Sequence, residues 1–199
     1  MRDVAFFVED YGHTIVLKSL INRLSHEFAV PVQLREYNNT GGHGRVETEF
    51  ARFVRNVAHS TAVRPDMIVV ATDANCVGFR ERLKRMRGAA ELLRELVVYA
   101  IPDPHLERWL LLDSAAFKAV LGKGCQAPDY KCDRDRYKRL LSEAVRAAGQ
   151  TPLLGGLEHA EEIVQHMRLD TVANQDDAFG DLLQQLRSFF RRWQENPSE

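Results

Sequence analysis

Two acids stand directly behind apolar runs. Glu9 closes DVAFFVE, and Asp73 closes MIVVATD with Asn75 two positions beyond it. Carboxylates that converge at strand ends suit Mg²⁺ or Mn²⁺, hard cations that take oxygen ligands and keep several waters. A cation held this way activates water and stabilises charge in phosphoryl transfer. A plain structural account is open for each acid alone: turn former, helix cap or solvated charge. For Glu9 and Asp73 together a shared metal site is favoured, because each directly follows an apolar strand.

HLERWLLLD (105–113) adds His105, Glu107 and Asp113. Glu107 lies near the start of an apolar helix, where it complements the helix dipole as readily as it joins a site. Asp113 falls further along and is the weaker candidate. His105 could position a phosphate or cap the helix. The glycine-rich loop NNTGGHG (38–44) lacks the Walker pattern and its lysine, so it is not a P-loop; its His43 could reach a substrate or simply be exposed. Arg80, Arg82, Lys84, Arg85 and Arg87 spread around a helix, mostly as a solvated face. Arg80, near the helix start, is the one suited to contact phosphate beside the acids.

These residues need a frame. DVAFFVE (3–9), MIVVATD (67–73) and VVYAIP (97–102) are short apolar runs that predict buried strands, and VPVQLREY (30–37) alternates like a half-buried one. Helical spacing covers 13–28, 46–60, 78–96 (with a possible break at Gly88), 106–122, 135–149, 157–167 and 178–194. Alternating strands and helices imply crossover connections and a mainly parallel, Rossmann-like α/β sheet. Sites in such sheets lie outside the carboxyl ends of the strands, where Glu9 and Asp73 would stand if their strands are neighbours. Residues 1–122 read as the α/β domain and 123–199 as a helical extension on the same core. The stripe Phe179, Leu182, Leu183, Leu186, Phe189, Phe190 and Trp193 reads as core, with part of it open to use as a partner surface.

The 199 residues suffice for one buried α/β core. A formal net charge of −1 excludes nucleic-acid binding by global charge and leaves only a local basic patch. Cys76, Cys125 and Cys132 fit no zinc spacing and read as reduced thiols of a cytoplasmic protein. MRDVAFFVED does not read as a signal peptide, and no apolar run approaches the roughly 20 residues of a membrane span.

FFVED, VVATDAN and IPDPHLERWLLLD together resemble the TOPRIM (topoisomerase-primase) superfamily, and within it the small TOPRIM-like proteins of prokaryotic defence loci. Those are related to the nuclease half of the overcoming-lysogenization-defect proteins. The family pattern is a glutamate after the first strand and Asp-x-Asp after a later one; Glu9 and Asp73 match it, with Asn75 at the place of the second aspartate. Glu107 matches a glutamate embedded in an apolar segment, and DAFGDLLQQLRSFF matches a closing helix. The resemblance implies a TOPRIM-like fold and a Mg²⁺-dependent nuclease acting on DNA or RNA. It also implies an ABC/AAA-type ATPase partner, assembly as a homo- or hetero-oligomer and a role in anti-phage defence. Glu9, Asp73 and Glu107 would be catalytic, with Glu9, Asp73 and Asn75 on the metal. Arg80, His105 and His43 would touch substrate. The pattern departs where Asp10-Tyr11-Gly12 replaces glycine after the glutamate, and where Asn75 replaces the second aspartate, a lost charge for which Asp10 could compensate. The alternative is a non-catalytic TOPRIM-like subunit that assembles with the ATPase.

Overall fold

The computed structural model describes residues 1–38, 46–61 and 64–196. Four strands, β1 (Arg2–Val8), β2 (Val32–Asn38), β3 (Met67–Ala71) and β4 (Val97–Ala100), form one sheet in the order β2-β1-β3-β4. Every pairing is parallel. The connections carry helices α1 (Tyr11–Glu27), α2 (Val46–His59) and α3 (Phe79–Ala89). Beyond β4 run α4 (Glu107–Leu111), α5 (Ser114–Leu121), α6 (Arg136–Ala147), α7 (Ala160–His166), α8 (Leu169–Ala173) and α9 (Asp177–Glu195). The expected α/β architecture with a parallel sheet and a helical C-terminal part is therefore present.

Side chains alternate across the central strands. Val4, Phe6, Val8, Val69, Ala71 and Val98 share a core with α1 and the C-terminal helices, including Leu141, Ile163, Leu186 and Phe190. Ala5, Phe7, Ile68, Val70 and Tyr99 share another with Phe50 of α2 and Leu83 and Met86 of α3. Burial on both faces is why β1 and β3 read as continuous apolar runs. At the sheet's outer edge, β4 is covered by α9, whose Gln185 side chain accepts from the Tyr99 amide (3.1 Å).

Several expectations need correction. The helix expected over 106–122 is two helices, because Asp113 accepts from the Ala115 and Ala116 amides at 3.0 and 3.2 Å and caps α5. Helix α3 runs through Gly88 and stops at Ala89, and α8 was not expected. The three cysteines are not all thiols: Cys76 and Cys132 form a disulfide with Cα atoms 5.5 Å apart, leaving Cys125 free. The partner-surface option for the last helix also fails. Phe189, Phe190 and Trp193 are 7%, 0% and 6% exposed and belong to the core. No helix among the described residues is long and apolar enough to cross a membrane.

Candidate functional site

Register brings the acids to one edge. Val8 is level with Ala71 and Ala71 with Ala100, so β1, β3 and β4 end together. The chain beyond β4 is laced to the turn beyond β3: the Ala74 amide donates to Pro102 O (2.8 Å) and the Asn75 amide to Pro104 O (2.9 Å). That lacing delivers His105 and Glu107 to Asp73.

Asp73 is the hub. Its Oδ1 accepts from the Leu106 amide at 3.0 Å, and its Oδ2 lies 3.2 Å from His105 Nδ1. His13 Nε2 approaches Oδ1 at 3.3 Å, an ion-pair contact without hydrogen-bond alignment. The other nitrogen of His13, Nδ1, lies 2.8 Å from Asp10 Oδ1, and Asp10 also caps α1 by accepting from the His13 amide. Gly12 lies close against the chain beyond β4: a Cβ there would stand 3.0 Å from Leu157 Cδ1 and 3.4 Å from Leu106 Cδ2. Glu9 is held separately, its Oε2 accepting from Thr72 Oγ1 at 2.6 Å and from the Asp73 amide at 3.3 Å. Glu107 is 4% exposed, and its Oε2 is buried without a hydrogen-bond partner.

Electrostatics follow from this packing. Burial works against the His13 imidazolium, but contacts with Asp10 and Asp73 outweigh it and raise the pKa to about 10. Burial likewise works against the Asp73 carboxylate, and His105 and His13 together hold it down at about 2. Asp10 is pulled well below the carboxylate range, burial being outweighed by His13. The Asp73 contact raises His105. Burial, and then the neighbouring Asp73 charge, push Glu107 up. The site is thus a chain of alternating carboxylates and imidazoles, Asp10, His13, Asp73 and His105, with a reluctant acid, Glu107, beside it.

This chain makes stability depend on pH. His13 is raised in the fold, so its contribution is full below its ordinary value of 6.5 and lost as pH rises through about 10. Asp73 is lowered, so its contribution is full above 3.8 and lost as pH falls through about 2. Melting temperature is expected to fall steadily from pH 6.5 to 10, and His13→Gln to flatten that fall. A wild-type profile that stays level across this range would refute the charge chain.

The candidates divide. Glu9, Asp73, Glu107 and His105 meet at the edge. Asn75 adjoins it in a left-handed turn conformation (φ 51°), which asparagine tolerates better than most residues, with Nδ2 3.3 Å from the Asp73 carbonyl oxygen. That gives Asn75 a structural account of its own. Arg80 instead lines a separate cavity of about 610 Å³ with Asp103, Arg108, Tyr130 and Asp176, in whose lining Glu9, Asp73 and Glu107 take no part. Asp113 is a fully buried cap that also accepts from the Arg168 amide (2.8 Å) and guanidinium (3.0 Å), so it is no ligand candidate. His43 lies outside the described residues. His13 was missed; the only trace in the sequence is Asp10 three positions before it, the spacing of a cap that also reaches a side chain.

Among the described residues no three His, Cys, Asp or Glu side chains are gathered closely enough to hold a metal as they stand. The donor set nevertheless suits a hard cation. Glu9, Asp73 and Glu107 are all oxygen donors, and the orphaned Glu107 Oε2 is a buried acceptor that lacks a hydrogen-bond partner. No family model, curated protein or solved structure matches the chain.

Proposed function

We propose that this chain is a Mg²⁺- or Mn²⁺-dependent phosphodiesterase acting on DNA or RNA, built on a TOPRIM-like sheet. The observation that carries it is the meeting of Glu9, Asp73 and Glu107 at one carboxyl edge, with Glu107 Oε2 buried and unpartnered. Glu9, Asp73 and Glu107 would hold the cation. When bound, it supplies charge neutralisation and an activated water. The chain's own groups do the rest. Thr72 fixes the Glu9 carboxylate. The Leu106 amide fixes Asp73. His105, half-buried and favoured in its charged form by Asp73, would donate to a phosphate oxygen. The ATPase partner and the anti-phage role belong to this proposal through the resemblance of FFVED, VVATDAN and IPDPHLERWLLLD to the defence-associated proteins.

A second reading has its own observation. Both oxygens of Asp73 are engaged by His13, His105 and the Leu106 amide, and Asn75 brings no charge. Such a site fits a non-catalytic subunit that binds the ATPase and has replaced a cation with two imidazoliums.

Mn²⁺ titration followed by electron paramagnetic resonance separates the two. The phosphodiesterase reading expects Mn²⁺ uptake, together with cleavage of labelled DNA or RNA when the ATPase is present. It expects Glu9→Gln to lower cleavage by about 10²-fold, the scale for removing one preorganised electrostatic group, with melting temperature little changed. A wild-type chain that takes up no Mn²⁺ and cleaves neither polymer supports the binding subunit.

A further inference from the structure

A polyanion approaching an acidic edge needs cations at the rim. The basic helix α3 does not stand there. It packs on the sheet face opposite α1 and α4, through Leu83 and Met86. Arg80 lines the separate cavity, Arg85 pairs with Glu81, and Arg87 lies over the Tyr99 ring. On the site's own face, Lys18 pairs with Glu36, Arg23 donates to the Val164 and Met167 carbonyls, and Arg168 pairs with Asp113.

Lys138 is placed differently. Helix α6 docks beside α4 through Tyr137, which is fully buried, with its ring centroid 6.2 Å from that of His105. The Tyr137 hydroxyl accepts from the Lys131 amide at 2.9 Å, which ties the preceding segment to the same place. Leu141, one turn on, is buried in the core shared with Leu106. The next residue after Tyr137 is Lys138, which is exposed and whose side chain makes no ion pair or hydrogen bond among the described residues. Its charge reaches Asp10, His105 and Glu107, favouring the deprotonated form of each.

We propose that Lys138 contacts a backbone phosphate of a nucleic acid lying along the Glu9–Asp73–Glu107 edge, so that the helical extension supplies a substrate-binding residue. This rests on the nucleic-acid reading above. A lysine suits such a contact, because its ammonium is a compact charge on a flexible stem, able to follow a phosphate whatever the base. The role is binding and positioning, since nothing places Lys138 at the reacting atoms.

The test uses the full chain carrying Glu9→Gln, which slows turnover about 10²-fold, with Mg²⁺ and fluorescein-labelled single-stranded DNA and RNA of one sequence. Anisotropy is read across a salt series. Lys138→Ala is expected to weaken binding about fivefold and to reduce the slope of log affinity against log salt by about 0.7, the loss of one single-strand phosphate contact. Lys138→Arg is expected to restore both. Parent and Lys138→Ala chains with equal affinity and equal slope would overturn the Lys138 assignment and leave the phosphodiesterase reading standing. A parent chain that binds neither polymer at low salt would overturn both.

Discussion

Asp176→Ala is expected to lower the unfolding free energy by about 3–5 kcal/mol, the cost of breaking a buried ion pair from one side. Asp176 is 6% exposed and serves three donors at once. Its Oδ2 accepts from Arg108 Nη1. Its Oδ1 accepts from Trp109 Nε1 at 3.1 Å and from the Phe179 amide at 2.8 Å, which makes it the N-cap of α9. Alanine would strand the Arg108 charge, whose Nε already lacks a partner, and leave the indole N–H of a fully buried tryptophan unpaired. The lost cap adds about 1 kcal/mol. The neighbouring Asp177→Ala, exposed and without a capping bond, serves as control and should shift stability by no more than about 0.5 kcal/mol. Adding Arg108→Met to Asp176→Ala should recover part of the loss, because no charge is then stranded. Urea unfolding measures all three. A cost under about 1 kcal/mol for Asp176→Ala would mean that Arg108 finds another acid in the cavity beside it.

The frame of this site is legible in the sequence and its wiring is not, for physical reasons. Strands β1 and β3 are buried on both faces, so their apolar runs are plain and the acids behind them stand out. Parallel pairing then forces neighbouring strand ends to one edge, and Glu9 and Asp73 need only adjacency, which β1 and β3 have. What those acids touch is set by tertiary contacts between distant segments, which no local period encodes. His13 occupies a buried position on α1 where periodicity marks any polar residue as an interruption. Its importance appears only once the chain beyond β4 folds back to Asp73. Asp113 and Arg80 mislead for the opposite reason: their residue types suit chemistry, yet one is buried as a cap and the other lines a cavity whose walls leave out Glu9, Asp73 and Glu107.

The same limit hides the cysteine pair. Spacing rules recognise cysteines brought together by local turns, whereas Cys76 and Cys132 are separated by 56 residues. Cys76 follows Asn75 on the turn beyond Asp73, and Cys132 precedes α6, so the bond ties the acidic edge to the helix bearing Tyr137 and Lys138. Closing a loop of that length removes entropy from the unfolded chain on the scale of about 4 kcal/mol, and such bonds commonly deliver about 2–4. The double change Cys76→Ser and Cys132→Ser is therefore expected to lower unfolding free energy by about 2–4 kcal/mol, and dithiothreitol to lower that of the wild type equally. Much of the loss should fall on the unfolded state. The segment keeps other anchors: Tyr130 donates to Asp103 at 3.1 Å, and the Tyr137 hydroxyl accepts from the Lys131 amide at 2.9 Å. The fold should therefore persist, with an unchanged far-ultraviolet spectrum. Thiol titration in denaturant provides the chemical check, with one reactive group from Cys125 before reduction and three after. Three thiols before reduction, with no stability difference between wild type and the double variant, would show that the bond does not form in solution.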